Sequence, residues 1–192
     1  MKKLGLGIIT MLCLVATSFT SCLDSDNNNN SVTPNSTAVQ GTYSGRMTVN
    51  CNGMTYVRDV DVVIGTYALR IDSISSTDIL ENAISDSALL AAAKNQIGGN
   101  IPLLLGCSST ATSGIIPISL DDEIGKMKFS SSTGYYYYVY SYFTGDSTST
   151  STYNTSTKEL NLHFKVSQLL FNTDAVSNFK GIYYDIVATK NE

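Results

Sequence analysis

The sequence predicts a mostly β protein, an antiparallel barrel or sandwich with one helical insert at about residues 78–97. Segments 41–51 and 54–64 alternate apolar and polar residues on either side of an Asn-Gly pair, which is the strongest short-range hairpin signal. Segment 160–166 repeats that alternation, as half-buried strands do. Only 15% of the residues are charged, which is too few for a coiled coil or a helical bundle.

The N-terminus predicts export and lipid anchoring. Two lysines precede an apolar run that is too short to cross a bilayer core, so residues 1–21 are expected to be a signal peptide. The run Phe19-Thr20-Ser21-Cys22 resembles a lipobox, which implies that Cys22 becomes the lipidated first residue. Residues 22–37 have little apolar surface to bury and are expected to form a flexible Asn/Ser-rich leash before a single β-rich domain at 38–192.

The hairpin predicts its own register. A two-residue loop at Asn52-Gly53 places Cys51 opposite Met54 and Arg46 opposite Asp59. An exposed cross-strand pair of that kind contributes a few tenths of a kcal/mol to about 1 kcal/mol. Arg58 falls on the apolar face, which is explained if it lies near an open end of the sheet.

A change of period predicts the helical insert. A third strand is expected at 68–74, after which apolar residues recur at helical spacing from Asp78 to Ile97. Asp78, three residues before Glu81, is expected to cap the start of the insert. The insert forms either one helix or two short helices hinged near Ser85-Asp86, with Gly98 at the C-terminal end. Its apolar stripe should cover an end or a face of the sheet.

The rest of the chain is expected to form strands with short connections. Apolar runs at 103–107 and 115–120 precede an aromatic strand at 135–143, and the last strand is expected at 182–188. Eight or nine strands in total favour a barrel or a sandwich.

Two resemblances point to the same architecture. Residues 41–49 with Asn52-Gly53 look like the first hairpin of calycin-like (lipocalin-like) domains in Bacteroidales lipoproteins. The run 59–64, with 71–74 and Ile79-Leu80, is similar to a domain-of-unknown-function family of such lipoproteins. Asp24 and Asp26 resemble the export signal of that group. The resemblance implies an outer-membrane lipoprotein, with the cell surface favoured over the periplasmic face, and it supplies no catalytic motif.

Composition argues against several function classes. A net charge of −4 disfavours nucleic acid, and the lone histidine, His163, cannot make a usual zinc site. This histidine lies on the polar face of its strand and is expected to be a solvated surface residue. Asp121-Asp122-Glu123 lacks a calcium-loop pattern and is expected to be an exposed turn. We therefore expect a non-enzyme without cofactor or metal. A hydrolase would require His163 or the acidic cluster to lie in a polar cleft beside a nucleophile.

Three smaller expectations concern modification and redox state. Cys51 and Cys107 form either a disulfide or two buried free thiols, and the sequence leaves both open. Asp146-Ser147-Thr148, with Asp72-Ser73-Ile74 and Asp86-Ser87-Ala88, resembles the acceptor motif for O-glycans in Bacteroidales envelope proteins. Ser147 is the best-placed acceptor, because its loop should be exposed.

The tyrosine strand is the one candidate ligand surface. Tyr136, Tyr138, Tyr140 and Tyr142 share one face and either line a groove or serve as half-exposed sheet residues. The leading hypothesis is a lipid-anchored, non-enzymatic binding or accessory module for a glycan, a small amphiphile or an envelope partner. The alternative is a structural or inhibitory lipoprotein that docks another envelope protein and has no small-molecule pocket.

Overall fold

The fold is mostly β, as expected. A computed structural model describes residues 33–192, in which an antiparallel sheet curls into a nearly closed barrel. The strands are β1 (Gly41–Cys51), β2 (Met54–Ile64), β3 (Ala68–Ser75), β4 (Asn100–Ser108), β5 (Ile115–Pro117), β6 (Ser119–Leu120), β7 (Glu123–Ser130), β8 (Tyr136–Gly145), β9 (Thr152–Asn154), β10 (Glu159–Phe171), β11 (Asp174–Ala175) and β12 (Ile182–Lys190). The helices are α1 (Ser76–Ala83) and α2 (Ser87–Ile97). The expected signal peptide, Cys22 and most of the leash lie outside the described residues.

The long strand β10 organises the barrel. The order β6-β4-β3-β2-β1-β12-β10 runs round the sheet, and β10 also pairs with β9, β8 and the short β11. Its beginning bonds to β9 and its longer remainder to β8, and a bulge between Val166 and Gln168 interrupts the ladder with β8. β8 in turn pairs with β7, whose other edge bonds to no strand in the described part of the chain. The barrel seam therefore lies between β7 and β4.

The first hairpin has the expected register. Cys51 lies opposite Met54 and Arg46 opposite Asp59, and both turn residues have positive φ, 53° at Asn52 and 77° at Gly53. Such a turn matches the right-handed twist of the two strands. The register prediction is confirmed.

The helical insert is two short helices that break at the expected hinge. Asp86 caps α2 by accepting hydrogen bonds from the backbone of Ala88 and Leu89, and Gly98 ends it. The start of α1 differs from the expectation of a cap at Asp78. Ser75 is the cap, and its hydroxyl accepts a hydrogen bond from the backbone N–H of Asp78. The helix therefore begins at Ser76, and its cap lies three residues before the expected one.

Side chains fill the interior of the barrel. Phe164 stacks on Tyr184 with ring centroids 4.9 Å apart, and both are almost fully buried. Buried residues from ten strands, α1 and α2 join them in one continuous apolar cluster. The grooves found on the molecule are open to solvent. The structure therefore resembles a packed barrel more than a ligand-holding cup.

The N-terminal segment of the described chain packs against the barrel. Asn35 is buried, bridges to Ser109 and donates a hydrogen bond to the carbonyl of Gly65. The domain boundary expected at residue 38 therefore lies at or before Asn35. None of the helices within residues 33–192 is long and apolar enough to cross a membrane.

Candidate functional site

The alternation of β8 sends its tyrosines to both sides of the sheet. Tyr137 points inward and stacks between Phe129 and Phe171, with centroid distances of 5.6 and 5.7 Å. The neighbouring positions Val139, Ser141 and Phe143 are buried. The other four rings share the outer face and keep part of their surface in solvent: Tyr136, Tyr138, Tyr140 and Tyr142. The structure thus places these four predicted residues on one half-exposed outer face of a packed sheet.

Two lysines from β7 lie over these rings. Lys126 is opposite Tyr140 in the ladder, and its Nζ lies 4.6 Å from the centroid of Tyr138 and 5.5 Å from that of Tyr140. Lys128 Nζ lies 3.9 Å from the centroid of Tyr136. An ammonium group is attracted to the negative face of an aromatic ring at such distances. The surface formed by these two lysines and four tyrosines is called the tyrosine–lysine face below.

The sequence explains why the face forms. β7 alternates Lys126 and Lys128, which are exposed, with Met127 and Phe129, which are buried. β8 has the same period, so the outward positions of the two strands meet across the ladder. Tyr138 and Tyr140 also contact each other, with ring centroids 6.2 Å apart. The result is a ladder of rings and ammonium groups.

The surroundings of the face are uncharged or weakly polar. Ile124, half exposed, lies opposite Tyr142, and Gln168 and Leu170 of β10 lie on the other side of Tyr142 and Tyr140. The outward positions of β7 and β8 contain no carboxylate. On a chain whose net charge is −4, this surface is locally cationic.

Helix α2 holds one end of the edge strand. The side chain of Gln96 donates to the carbonyl of Ser130 over 2.7 Å and accepts from its backbone N–H over 3.0 Å. A side-chain amide thus occupies backbone groups that an unpaired edge strand would otherwise expose. This contact fixes β7, and therefore the lysines, against β8.

His163 lies in a polar cleft, where the sequence predicted a solvated surface position. Its Nδ1 is 2.6 Å from Oδ1 of Asp185 on β12, and its side chain is only 24% exposed. The cleft has a volume of about 340 Å³ and is lined by Ile118, Ser119, Leu120, Asp122, Gly145, Asp146, Ser147, Ser149, Thr150, Ser151 and His163. It begins where the outer face of β8 ends.

The cleft lacks a catalytic relay. Ser151 contacts His163 through the backbone, because its hydroxyl accepts from the N–H of His163 over 2.9 Å. Among residues 33–192 no serine hydroxyl bonds to the His163 ring, so the orientation that a Ser-His-Asp hydrolase requires is not assembled there. Asp146 is engaged with its own loop, and the hydrogen bond from the backbone of Thr148 is the main reason that its pKa is lowered.

The cysteines are free and buried in the structure, which is the second of the two expected states. Asn82 donates to the sulfur of Cys51 over 3.2 Å, and Asn35 donates to that of Cys107 over 3.1 Å. Burial raises the pKa of both thiols. They are therefore packing residues at separate sites.

The remaining candidate residues from the sequence are either exposed on the surface or buried. Asp121, Asp122 and Glu123 are exposed, as expected, and within the described chain no three His, Cys, Asp or Glu side chains are placed to hold a metal. Ser147 is exposed, whereas the hydroxyl of Ser73 is buried. Of these two motif serines, Ser147 is the accessible one.

Comparison with known proteins adds no relative: no family model, no curated protein and no solved structure matches this chain.

The lysines and Asp185 are the site residues that sequence reasoning missed. The alternation of Lys126 and Lys128 with two apolar residues was the available signal. Their position over the rings depends on the register between β7 and β8, which a five-residue loop at 131–135 does not fix. Asp185 reaches His163 because β12 pairs with β10.

Proposed function

We propose that this chain is a non-enzymatic binding module of the cell envelope, tethered by lipid at Cys22, which captures its ligand on the tyrosine–lysine face. The observation that carries the proposal is the presentation of four partly exposed tyrosine rings on one outer face of a rigid sheet. Tyrosine offers a flat apolar ring and a hydroxyl with few rotatable bonds, so it contributes contact area at low entropic cost.

The packed interior restricts the class of ligand. A small amphiphile held inside the barrel would have to displace Tyr43, Phe164 and Tyr184, which are nearly fully buried. Such displacement costs several kcal/mol for each large side chain, on the order of a core truncation. The outer face needs no such rearrangement. A glycan bound on the outer face is therefore favoured over an amphiphile held inside the barrel.

The tether is proposed from the sequence. Several acyl chains hold a protein stably at a membrane, whereas one chain binds only marginally. Mass spectrometry of the processed chain tests this part, with an acylated Cys22 expected at the N-terminus. An unmodified start at another residue would contradict the tether and would leave the binding face unaffected.

The binding proposal is tested by substitution of two central rings. The full chain carrying Tyr138→Ala and Tyr140→Ala should be retarded less than the unchanged protein in affinity electrophoresis through gels that contain soluble polysaccharides. The control carries Tyr67→Ala and Tyr183→Ala, two exposed rings away from the face. Equal retardation of all three proteins, or none of any, would overturn the proposal.

A second candidate function is favoured by the filled interior. A structural or inhibitory lipoprotein that docks another envelope protein needs no pocket, and the exposed Ile124 beside Tyr142 adds apolar area to the same face. A photo-crosslinker placed at Tyr142 in intact cells distinguishes the two functions. One protein captured in stoichiometric yield favours docking, and crosslinks to carbohydrate favour the module.

A further inference from the structure

The repeating pattern of the tyrosine–lysine face identifies the chemistry of its ligand. Along β8 the outward rings recur at every second residue, which on a strand is a spacing of about 6.6–6.8 Å. Along β7 the ammonium groups recur with the same period, and each lies within 5 Å of a ring centroid. The face is therefore a short row of four rings, of which the first three lie beside two ammonium groups.

We propose that this row binds a linear acidic polysaccharide, a polymer that itself repeats one ring and one anion. This inference rests on the proposed function, because it assigns a ligand class to the same surface. The sugar rings would pack against the exposed parts of the tyrosines, and the carboxylates or sulfates would approach Lys126 and Lys128.

Charge complementarity favours an anionic ligand. Lys126 and Lys128 are exposed, and the outward positions of the two strands hold no carboxylate to neutralise them. The seven ion pairs found in the described chain include neither lysine. Both ammonium groups are therefore available to a ligand while they remain above the rings.

Periodicity favours a polysaccharide over an acidic protein. A linear acidic polysaccharide repeats a sugar ring and an anion along its whole length, whereas most acidic protein surfaces hold their carboxylates at irregular intervals. The sheet also holds its subsites rigidly, since β8 is paired on both sides and Gln96 fixes the end of β7. A rigid row of subsites suits a chain of repeating units.

The experiment compares two polymers that share a sugar backbone and differ in whether the carboxyl group is charged. Polygalacturonate and its fully methyl-esterified form have the same sugar backbone, and poly-glutamate supplies carboxylates without sugar rings. Binding of the full chain in non-ionic detergent is measured for each at low salt. The unchanged protein should bind polygalacturonate at least about tenfold more tightly than the other two polymers, and this binding should weaken as salt rises past about 0.1 M.

Substitutions assign that preference to the two lysines. Lys126→Gln with Lys128→Gln should reduce the affinity for polygalacturonate about tenfold or more. Lys126→Arg with Lys128→Arg keeps the charge and should keep the affinity. The matched control, Lys158→Gln with Lys180→Gln, removes the same charge elsewhere and should also bind normally.

Each other outcome has a definite meaning. Equal binding of polygalacturonate and its ester would overturn the acidic ligand and leave a glycan-binding face intact. Equal binding of poly-glutamate would overturn the polysaccharide in favour of any polyanion. Failure of the unchanged protein to bind either glycan would overturn this inference. The proposed function would then be tested separately by the affinity electrophoresis of the Tyr138→Ala and Tyr140→Ala variant described above.

Discussion

Arg58 on β2 lies 3.8 Å from Asp78 in the first turn of α1, measured from Nη2 to Oδ2. Both side chains are largely shielded, and the hydroxyl of Tyr56 donates to the same carboxylate. The guanidinium also lies 4.8 Å from the ring centroid of Tyr56. Arg58 therefore lies on the apolar face of its strand because it joins the open end of the barrel to the helix.

Loss of that junction should destabilise the protein. Arg58→Gln leaves Asp78 half-buried without its cation, and we expect the free energy of unfolding to fall by about 1–3 kcal/mol, between the values for exposed and buried pairs. Urea denaturation at neutral pH measures this change. The control Arg46→Gln removes the fully exposed pair with Asp59 and should cost about 0.5 kcal/mol or less. Equal losses would contradict this assignment.

The first hairpin depends on the left-handed conformation of Gly53. Gly53→Ala should lower the free energy of unfolding by about 1–2 kcal/mol, because φ is +77° there and an added Cβ is strained. Gly99→Ala is the matched control, since that glycine has open space and no positive φ. Thermal or urea unfolding should leave the Gly99 variant near the unchanged protein, and the reverse order would refute the turn assignment.

The interior should behave as a packed core. Phe164→Ala removes a ring stacked on Tyr184, and we expect a loss of about 3–5 kcal/mol. Tyr183→Ala, on the outer side of the neighbouring strand, should change stability by about 1 kcal/mol or less. A fluorescent fatty acid added to the unchanged protein should show only background binding. Saturable uptake of one fatty acid per chain would show that the barrel opens to a ligand.

Stability should fall in alkali. Burial raises the pKa of Tyr184, Tyr43, Cys51 and Cys107, so the folded state retains protons that the unfolded chain releases. Their contribution is complete below the ordinary values, about 8.5 for cysteine and about 10 for tyrosine, and is lost as pH rises beyond them. Urea midpoints measured in reductant should decline from about pH 8.5 upward.

A cysteine-free variant separates the two kinds of group. With Cys51→Ala and Cys107→Ala the decline should begin only near the ordinary tyrosine value, about pH 10. If the urea midpoint of the unchanged protein stays flat or rises above about pH 8.5, the buried groups do not control its stability in alkali. The same conclusion holds if the midpoint of the cysteine-free variant does not fall above about pH 10.

The sequence predicts those parts of the fold that depend on a few neighbouring residues. The two-residue turn at Asn52-Gly53 admits one register, so the pairing of Arg46 with Asp59 followed directly. The start of α1 was misjudged because Ser75, Ser76, Thr77 and Asp78 are all good cap residues. Burial of Ser75 and Ser76 against the barrel selected the first of them.

Only part of the candidate site could be predicted from the sequence, because the rest depends on which strands pair. Alternation alone placed Tyr138 and Tyr140 on one face. The lysines lie beside them because β7 pairs with β8, and the five-residue loop between these strands does not determine their register. The pairing of β10 with both β9 and β8 is likewise tertiary, since no turn residue marks the change of partner between Asn161 and Phe164.

Radical footprinting of the tyrosines tests the central claim most directly. The full chain is exposed to hydroxyl radicals with and without saturating polygalacturonate, and oxidation of each tyrosine is measured by mass spectrometry. The polymer should slow oxidation of Tyr136, Tyr138, Tyr140 and Tyr142, while Tyr67 on the turn between β2 and β3 should oxidise at an unchanged rate. Equal protection at Tyr67, or none along β8, would contradict a ligand held on the tyrosine–lysine face.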